Sequence, residues 1–404
     1  MNKKKKRWSK PRHRIVRNIA YLLLYPYARF KYNIKIEPFK EQKKIPYLIL
    51  LNHQTPYDQF FVGMSFKGPV YYLASEDLFS NGFVSSLIRW LVAPIPIRKQ
   101  TTDVAAVMNC LRVAKEGCTI AIAPEGNRTY SGKTEYMNPA IAHLAKKLKL
   151  PVALYRIEGG YGAEPRWSDV VRKGKMKAYV SRVVEPEEYS KLSDDEFLSL
   201  IEKELFVDEG VADGIFKSNK RAEYLERAMY VCPFCSLSEF ESRGNEITCK
   251  KCGRKIIYGE DKRLRGVGFD FPFEFVTKWY DSQKEFICSL DTTQYTETPM
   301  YKDLANISQV NVYKNKKLLR KMSEICLYGD KITVDENKEN SIIFPFSELS
   351  AVTVLGRNKL NIYYKDKIYQ LKGSKRFNAL KYVNIYFRHK SILRGEENGK
   401  FLGL

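Results

Sequence analysis

Residues 47–58 have the sequence Tyr47-Leu48-Ile49-Leu50-Leu51-Asn52-His53-Gln54-Thr55-Pro56-Tyr57-Asp58. The apolar run at the start predicts a buried strand, which the polar residues after Leu51 end. Thr55 and Pro56 are favoured at the N-cap and first position of a helix, so a helix is expected to begin here. This arrangement puts an imidazole at the carboxyl end of a buried strand, where open α/β sheets bind ligands, and a carboxylate in the next helical turn.

His53 and Asp58 fit two different roles. A histidine titrates near neutral pH, and a carboxylate beside it fixes its tautomer and stabilises its charged form. The pair can therefore act as a general base and its orienting acid. Thr55 and Asp58 also have the spacing of a capping box, in which Asp58 would only satisfy backbone amides. Taken alone, the stretch leaves both roles open.

The chain is long and strongly basic, with 404 residues and a formal net charge of +23. Its length predicts two or three domains. Its charge predicts an anionic partner, which can be a nucleic acid, an anionic membrane surface or a phosphorylated substrate. Nine of the first seventeen residues are Lys or Arg and none is acidic, so part of the excess is local.

Residues 15–30 are mostly apolar but are interrupted by Arg17, Pro26 and Arg29. The run lacks a small-residue cleavage site and is shorter than the roughly 20 apolar residues that span a bilayer. With its basic flank it predicts a helix lying in the surface of an anionic membrane. The alternative is a buried N-terminal helix behind a solvated basic tail.

A second polar cluster, Pro124-Glu125-Gly126-Asn127-Arg128, follows another buried strand predicted at 118–123. Arg128 offers a planar fork of donors that suits a phosphate, and Gly126 lets the backbone approach a ligand closely. Glu125 can hold the arginine or accept a hydrogen bond from a substrate hydroxyl. Without other motifs, the cluster is more typical of a surface turn with a local ion pair.

These motifs together resemble the glycerophosphate and lysophospholipid acyltransferase family, specifically the 1-acyl-glycerol-3-phosphate acyltransferases. The family's Asn-His, four residues and Asp are matched by Asn52, His53 and Asp58. An arginine on an extended segment is matched by Arg98, and a Pro-Glu-Gly-x-Arg block by residues 124–128. A Pro-Val-rich strand is matched less closely at 151–154, and Asn127 stands where many members have Thr or Ser. The resemblance covers roughly residues 15–205.

The resemblance implies an α/β fold with a glycerolipid acyltransferase-like mixed sheet flanked by helices. It implies transfer of a fatty acyl group from acyl-CoA or acyl-carrier protein to lysophosphatidic acid, giving phosphatidic acid, with no organic cofactor. His53 would be the general base and Asp58 its partner, while the substrate would be bound by Arg98, Glu125, Gly126 and Arg128. The alternative acceptors are glycerol 3-phosphate and other lysophospholipids.

Four of the eight cysteines form two pairs, Cys232-x-x-Cys235 and Cys249-x-x-Cys252. Such pairs can close a tetrahedron of thiolates around zinc, and a four-thiolate site has no open position for catalysis. The pattern therefore predicts a small structural zinc ribbon in a reducing compartment. A rubredoxin-type iron site and a redox dithiol pair are the alternatives.

The sequence after residue 300 predicts six or seven short strands and a closing helix at 377–387. This pattern resembles a pleckstrin-homology (PH) or GRAM-like module, which would bind phospholipid headgroups through lysines. The candidate lysines are Lys359, Lys365, Lys367, Lys372 and Lys375. A β-rich packing or oligomerisation domain is the alternative.

The predicted organisation has five parts: a basic N-terminus with an interfacial helix, the acyltransferase domain, a helical connector, the zinc ribbon and a β-rich domain. Their predicted bounds are 1–36, 37–206, 207–230, 231–262 and 263–404. The predicted location is the cytoplasmic face of the cell membrane, bound from one side.

Two other classes compete with this interpretation. A nucleic-acid-binding zinc-ribbon protein would depend on the four cysteines, but the ribbon is short and lacks the aromatic and basic face that stacks bases, so nucleic acid is not an expected partner. A non-catalytic lipid-binding scaffold would tolerate loss of His53.

Overall fold

The computed structural model describes residues 7–97, 103–311 and 313–396. The first half of the chain contains a seven-stranded sheet. Its strands are β1 (Ile34–Ile36), β2 (Leu48–Leu51), β3 (Val70–Ser75), β4 (Ile95–Ile97), β5 (Thr119–Ile122), β6 (Val152–Glu158) and β7 (Met176–Val184). Their order is β1-β7-β6-β2-β5-β3-β4, and only β6 and β7 are antiparallel neighbours. The expected mixed α/β sheet is therefore present.

Helices cover both faces of this sheet. They are α1 (Pro11–Tyr32), α2 (Asp58–Ser65), α3 (Gly82–Val92), α4 (Val104–Lys115), α5 (Ala140–Leu148), α6 (Gly160–Ala163), α7 (Pro186–Tyr189) and α8 (Asp194–Leu205). Leu48 and Leu50 belong to the hydrophobic core under α4, α5 and α8, whereas Ile49 and Leu51 belong to the core under α1 and α2. Successive side chains of a strand point to opposite faces, so a strand covered on both sides is apolar throughout.

The helix after His53 begins at Asp58, so the predicted start at Thr55 and Pro56 is wrong. The physical reason is that the Asp58 carboxylate turns back onto the preceding loop. It accepts hydrogen bonds from the backbone N–H groups of Gln54 at 2.7 Å and Thr55 at 2.9 Å. These bonds hold residues 54–57 in a turn.

The connector at 207–230 is also not the helical segment that its polar pattern predicted. Its one helical stretch is a short 3₁₀ turn, Leu225–Arg227. Two of its stretches instead pair with loops of the α/β unit, through bridges between Asp208 and Lys133 and between Lys217 and Lys173. Tertiary pairing has replaced the internal hydrogen bonds of a helix.

The cysteine region consists of short antiparallel strands. They are β8 (Val231–Cys232), β9 (Ser236–Leu237), β10 (Phe240–Arg243), β11 (Glu246–Cys249), β12 (Lys255–Tyr258) and β13 (Leu264–Gly266). The first two form a hairpin, and the last four form a sheet in chain order.

The rest of the chain is β-rich, as predicted. After α9 (Val276–Ser289) come β14 (Tyr301–Val310), β15 (Lys317–Leu327), β16 (Lys331–Val334), β17 (Ile342–Pro345), β18 (Leu349–Leu355), β19 (Lys359–Tyr364), β20 (Lys367–Gly373) and α10 (Leu380–Leu393). The seven strands form one antiparallel sheet in the order β17-β16-β15-β14-β20-β19-β18. Two of the candidate headgroup lysines have acidic partners: Lys359 lies 3.5 Å from Asp77, and Lys365 lies 3.4 Å from Glu348.

The cysteine region and the β-rich region pack together and against the α/β unit. One hydrophobic core contains residues of all three parts, including Trp167, Ile247 and Val354. Arg227 is buried in this junction and makes a two-pronged ion pair with Asp169, with both N–O distances at 2.9 Å. The two halves of the chain are therefore joined by apolar packing and by charge.

Helix α1 has both buried and exposed apolar side chains. Ala28 and Tyr32 are buried against the sheet, but Ile15, Leu22, Leu23 and Phe30 are 60%, 72%, 64% and 91% exposed. Among the described residues, no helix has the length and apolar character needed to cross a bilayer.

Candidate active site

The His53 side chain lies at the carboxyl edge of the seven-stranded sheet, in the loop between β2 and α2. Its Nδ1 is 2.7 Å from an oxygen of Asp58. The histidine side chain is 28% exposed and that of Asp58 only 1% exposed. The imidazole is thus open to a ligand, while the carboxylate that orients it is shielded from water.

Asp58 is held in place by several other donors. Besides two backbone N–H groups, the Thr55 hydroxyl donates to it at 2.7 Å. Because a carboxylate that accepts this many bonds is an acceptor only, Nδ1 of His53 carries the proton in their shared bond. The lone pair of the neutral imidazole is then on Nε2, the nitrogen needed for a general base.

Asn52 explains why the sequence has an amide before the histidine. Its side chain donates to the carbonyl of Ile157 and accepts from the N–H of Ile157, both at 2.8 Å. The asparagine is fully buried. It replaces backbone pairing between the ends of β2 and β6, and so fixes the point at which the His53 loop leaves the sheet.

Glu125 meets the His53 loop because β2 and β5 are parallel neighbours whose carboxyl ends share one edge. Its Oε1 accepts the backbone N–H of His53 at 2.9 Å. Burial, more than any neighbouring charge, raises the pKa of Glu125 to about 8. The carboxyl group is therefore mostly protonated at neutral pH and can donate a hydrogen bond to a substrate.

Gly126 and Arg128 complete the loop after β5. Gly126 has a φ of 69°, a conformation that favours glycine. Its N–H donates to the carbonyl of Ala123 at 3.0 Å and so forms a turn. Burial, followed by the charges of Arg357 and Arg166, lowers the pKa of Arg128 to about 10, so it remains charged at neutral pH. Its Nη1 is buried and has no hydrogen-bond partner among the described residues.

Three charged residues beside Arg128 were not predicted as site residues: Glu164, Arg166 and Arg357. Arg166 donates from Nη1 to the Arg128 carbonyl at 2.8 Å and is almost fully buried. Glu164, also buried, accepts from the Arg357 guanidinium and from the Tyr32 hydroxyl. The motifs of the sequence analysis did not point to any of the three, and Arg357 lies in a distant hairpin turn.

Two further features concern substrate binding. Arg98, predicted to bind substrate, lies outside the described residues; β4 ends at Ile97, just before it. An apolar groove of about 620 Å³ lies between α1 and the segment that follows His53. It is lined by Leu23, Leu24, Tyr27, Pro56, Tyr57 and Phe60.

The four predicted metal ligands come together at one end of the cysteine region. All four sulfur atoms lie within 4.8 Å of one another. The Cys232 and Cys252 sulfurs are 3.8 Å apart, and those of Cys235 and Cys249 are 3.5 Å apart. Tetrahedral zinc with bonds of about 2.3 Å needs sulfur atoms about 3.8 Å apart, so these residues could bind zinc.

The first half of the chain matches a known protein family. Residues 33–156 match the family model described as Acyltransferase. This segment contains His53, Asp58, Glu125 and Arg128, and it ends before Glu164. No curated protein matches the chain.

One solved structure with similarity to this chain is the 1-acyl-sn-glycerophosphate (LPA) acyltransferase PlsC from Thermotoga maritima, at 23% identity and a TM-score of 0.38. The similarity covers 47% of this chain and 74% of that chain. It is the family match that supports an acyltransferase activity for the α/β unit.

Proposed function

We propose that the protein transfers a fatty acyl group to the free hydroxyl of lysophosphatidic acid and so makes phosphatidic acid. The observation that carries this proposal is the His53–Asp58 pair at the sheet edge, with the charged Arg128 guanidinium nearby. Within the described part of the chain, Nη1 of Arg128 has no hydrogen-bond partner. The pair supplies a base, and the arginine supplies a charge complementary to a phosphate.

The chain's own residues account for the proton transfers. Nε2 of His53 takes the proton from the acceptor hydroxyl as the oxygen attacks the thioester carbonyl. The tetrahedral intermediate then collapses, the thiolate of coenzyme A or of the carrier protein leaves, and the imidazolium returns the proton to it. Asp58 stabilises the imidazolium during this sequence. Because the acyl group passes directly to the acceptor, no nucleophilic Ser or Cys is needed.

The neighbouring groups suit the polar and apolar parts of a lysophospholipid. Arg128 would bind the phosphate, and protonated Glu125 would donate to an oxygen of the glycerol. The apolar groove between α1 and the loop containing Pro56 would bind an acyl chain through Leu23, Tyr27 and Phe60. The predicted roles of Gly126 and Arg98 belong to the same proposal.

The exposed apolar side chains support association with one side of a membrane. Those of α1 adjoin α3, which exposes Phe83 at 80% and Trp90 at 54%. Arg12 joins the two helices, since its Nε donates to the Trp90 carbonyl at 2.7 Å and its guanidinium lies 4.9 Å from the centre of the Trp90 ring. An apolar face with a basic flank is attracted to an anionic bilayer, and we propose the cytoplasmic face of the cell membrane.

The two later regions would support the enzyme. We propose structural zinc at Cys232, Cys235, Cys249 and Cys252, where it would hold β8 and β11 together. The seven-stranded antiparallel sheet closed by a helix is consistent with a PH or GRAM-like module, and headgroup binding by that module remains a prediction.

The test is an acyl-transfer assay with palmitoyl-CoA or oleoyl-CoA and 1-acyl-glycerol-3-phosphate in detergent or liposomes. We expect His53→Ala to lose about a hundredfold to ten-thousandfold in rate, because a general base contributes that much. His143→Ala is the matched control, since His143 also lies beside an aspartate but is 60% exposed. Equal activity of wild type and His53→Ala would exclude His53 as the base.

A further inference from the structure

The turn between β18 and β19 reaches the loop that carries Arg128. Arg166 joins them. Its Nη1 donates to the Arg128 carbonyl at 2.8 Å, while its Nε and Nη2 donate to the carbonyls of Gly356 and Val354, each at 3.3 Å. One buried guanidinium thus connects the main chain of the candidate phosphate-binding loop to the main chain of the C-terminal sheet.

The same turn contributes Arg357, whose ion pairs cross to the α/β unit. Its Nη1 lies 3.0 Å from Asp169, and its Nη2 contacts Glu164. The Nε of Arg357 is buried and has no hydrogen-bond partner among residues 7–97, 103–311 and 313–396. Glu164 is also bound by the Tyr32 hydroxyl at the end of α1. Arg357 therefore lies in a network that extends from the C-terminal sheet to the helix beside the apolar groove.

The network around the turn has more positive than negative charge. We call it the arginine cluster, and its members are Arg128, Arg166, Arg227, Arg357, Glu164 and Asp169. Its four guanidinium groups outnumber its two carboxylates, and the Asp58 carboxylate also acts on Arg128, which leaves an excess of one positive charge. Uncompensated charge that is shielded from water is costly, so such an excess favours the binding of an anion. A phosphate monoester carries a charge of about −1.5 to −2 near pH 7, which would compensate this excess.

We propose that Arg357 is a positioning residue for the phosphate of the acceptor, so that the C-terminal domain takes part in acceptor selection. Arg357 and its turn would hold Arg166, and Arg166 would hold the main chain of Arg128 in the position that binds the phosphate. This inference rests on the proposed function and deepens it, because it assigns part of the acceptor site to a region beyond residues 33–156, the acyltransferase match.

The test compares Arg357→Ala with Arg320→Ala. Arg320 is a close control, because it lies in the same sheet, pairs with Asp335 at 3.2 Å and is 23% exposed, against 24% for Arg357. Two quantities are measured for each variant: binding of lysophosphatidic acid in detergent micelles without an acyl donor, and the separate KM values for acceptor and acyl-CoA.

We expect Arg357→Ala to weaken lysophosphatidic acid binding and to raise the acceptor KM about tenfold, with the acyl-CoA KM unchanged. The thermal midpoint should also fall, because Glu164 and Asp169 lose an ion-pair partner. Arg357→Lys keeps the positive charge but loses the planar guanidinium group that can donate to two carboxylates. This variant should have an acceptor KM between those of the wild type and Arg357→Ala. Arg320→Ala should behave as the wild type does.

An unchanged acceptor KM in Arg357→Ala would overturn the inference, as would an equal rise of both KM values or an equal loss in Arg320→Ala. If Arg357→Ala does not fold, Arg357→Gln takes its place under the same criteria. If the wild type transfers no acyl group, the proposed function fails, and the binding measurement decides the inference separately. Weaker binding by the Arg357 variant would then support it, and equal binding would overturn it.

Discussion

Two histidine–aspartate pairs in this protein have the same chemical groups and different surroundings. His53 and Asp58, in the loop after β2, are 2.7 Å apart, with side chains that are 28% and 1% exposed. His143 on α5 and Asp194 on α8 are 3.5 Å apart, with side chains that are 60% and 49% exposed. Proximity alone therefore does not distinguish a candidate base from a surface contact.

The difference lies in what holds each carboxylate. Asp58 is buried and accepts bonds from two backbone N–H groups and the Thr55 hydroxyl, so it presents the imidazole at one fixed angle. Asp194 is open to water and is shared with Lys146, whose Nζ is 2.7 Å away. Exposed pairs of this kind contribute little, because solvent screens them and both side chains lose freedom. Preorganisation by the buried loop is what makes the first pair a candidate for catalysis.

The largest expected effect comes from replacing each aspartate by asparagine. Asp58→Asn should lower kcat for acyl transfer about a hundredfold or more, because the amide cannot stabilise the imidazolium and presents N–H groups to donors. Asp194→Asn should leave kcat unchanged. Steady-state assays of both variants, with thermal melts to confirm folding, check this. Equal kcat values for the two folded variants would remove the distinction between the pairs.

The next effect compares two arginines that have opposite surroundings. Arg227 makes a two-pronged ion pair, whereas Nη1 of Arg128 has no partner among the described residues. Arg227→Gln should lower the free energy of unfolding by roughly 3 kcal/mol, because it leaves Asp169 with less compensation and opens the junction. Arg128→Gln should keep or increase that free energy while raising the KM for lysophosphatidic acid. Urea unfolding and acceptor titrations separate these results.

Loss of stability in Arg128→Gln with an unchanged acceptor KM would contradict the ligand role of Arg128. Loss of stability with an unchanged acceptor KM is the result expected for Arg227→Gln. Each variant therefore serves as a control for the other.

The smallest expected effect concerns pH and Glu125. Burial raises its pKa from the ordinary 4.5 to about 8 in the folded protein. Between these values the folded state binds one more proton than the unfolded state, so this group makes stability fall as the pH rises. The contribution of Glu125 to the pH-dependent stability is complete below about pH 4.5 and is lost as the pH rises through about 8.

The side chain in Glu125→Gln stays neutral and can still accept the N–H of His53. The variant should therefore lack the loss of stability that ionisation of Glu125 causes as the pH rises. Its free energy of unfolding relative to the wild type should rise by at least about 1 kcal/mol between pH 5 and pH 8.5. Urea unfolding at several pH values gives the comparison. Parallel curves for the two proteins would mean that Glu125 ionises normally.

The fold of the α/β unit was largely accessible from sequence, because its signals are local. The apolar run at 47–51 predicted β2, and the buried strand predicted at 118–123 is β5. The start of α2 was predicted wrongly, since the Asp58 side chain competes with the helix for backbone N–H groups. The connector was predicted wrongly because its hydrogen bonds are made to distant loops.

The sequence by itself determined the chemical groups near each strand end. His53 and Asp58 are five residues apart, and Glu125 and Arg128 are three apart, so a loop of either length keeps its members together wherever the strands lie. The spacing of the four cysteines likewise defined a possible metal site. Only the tertiary structure decided that the two loops meet, because β2 and β5 are neighbours in a parallel sheet. It also decided that Arg357, more than 200 residues after Arg128, lies in the same charged network. No local pattern encodes such a contact, since it depends on how the cysteine region and the C-terminal sheet pack against the α/β unit through their shared core.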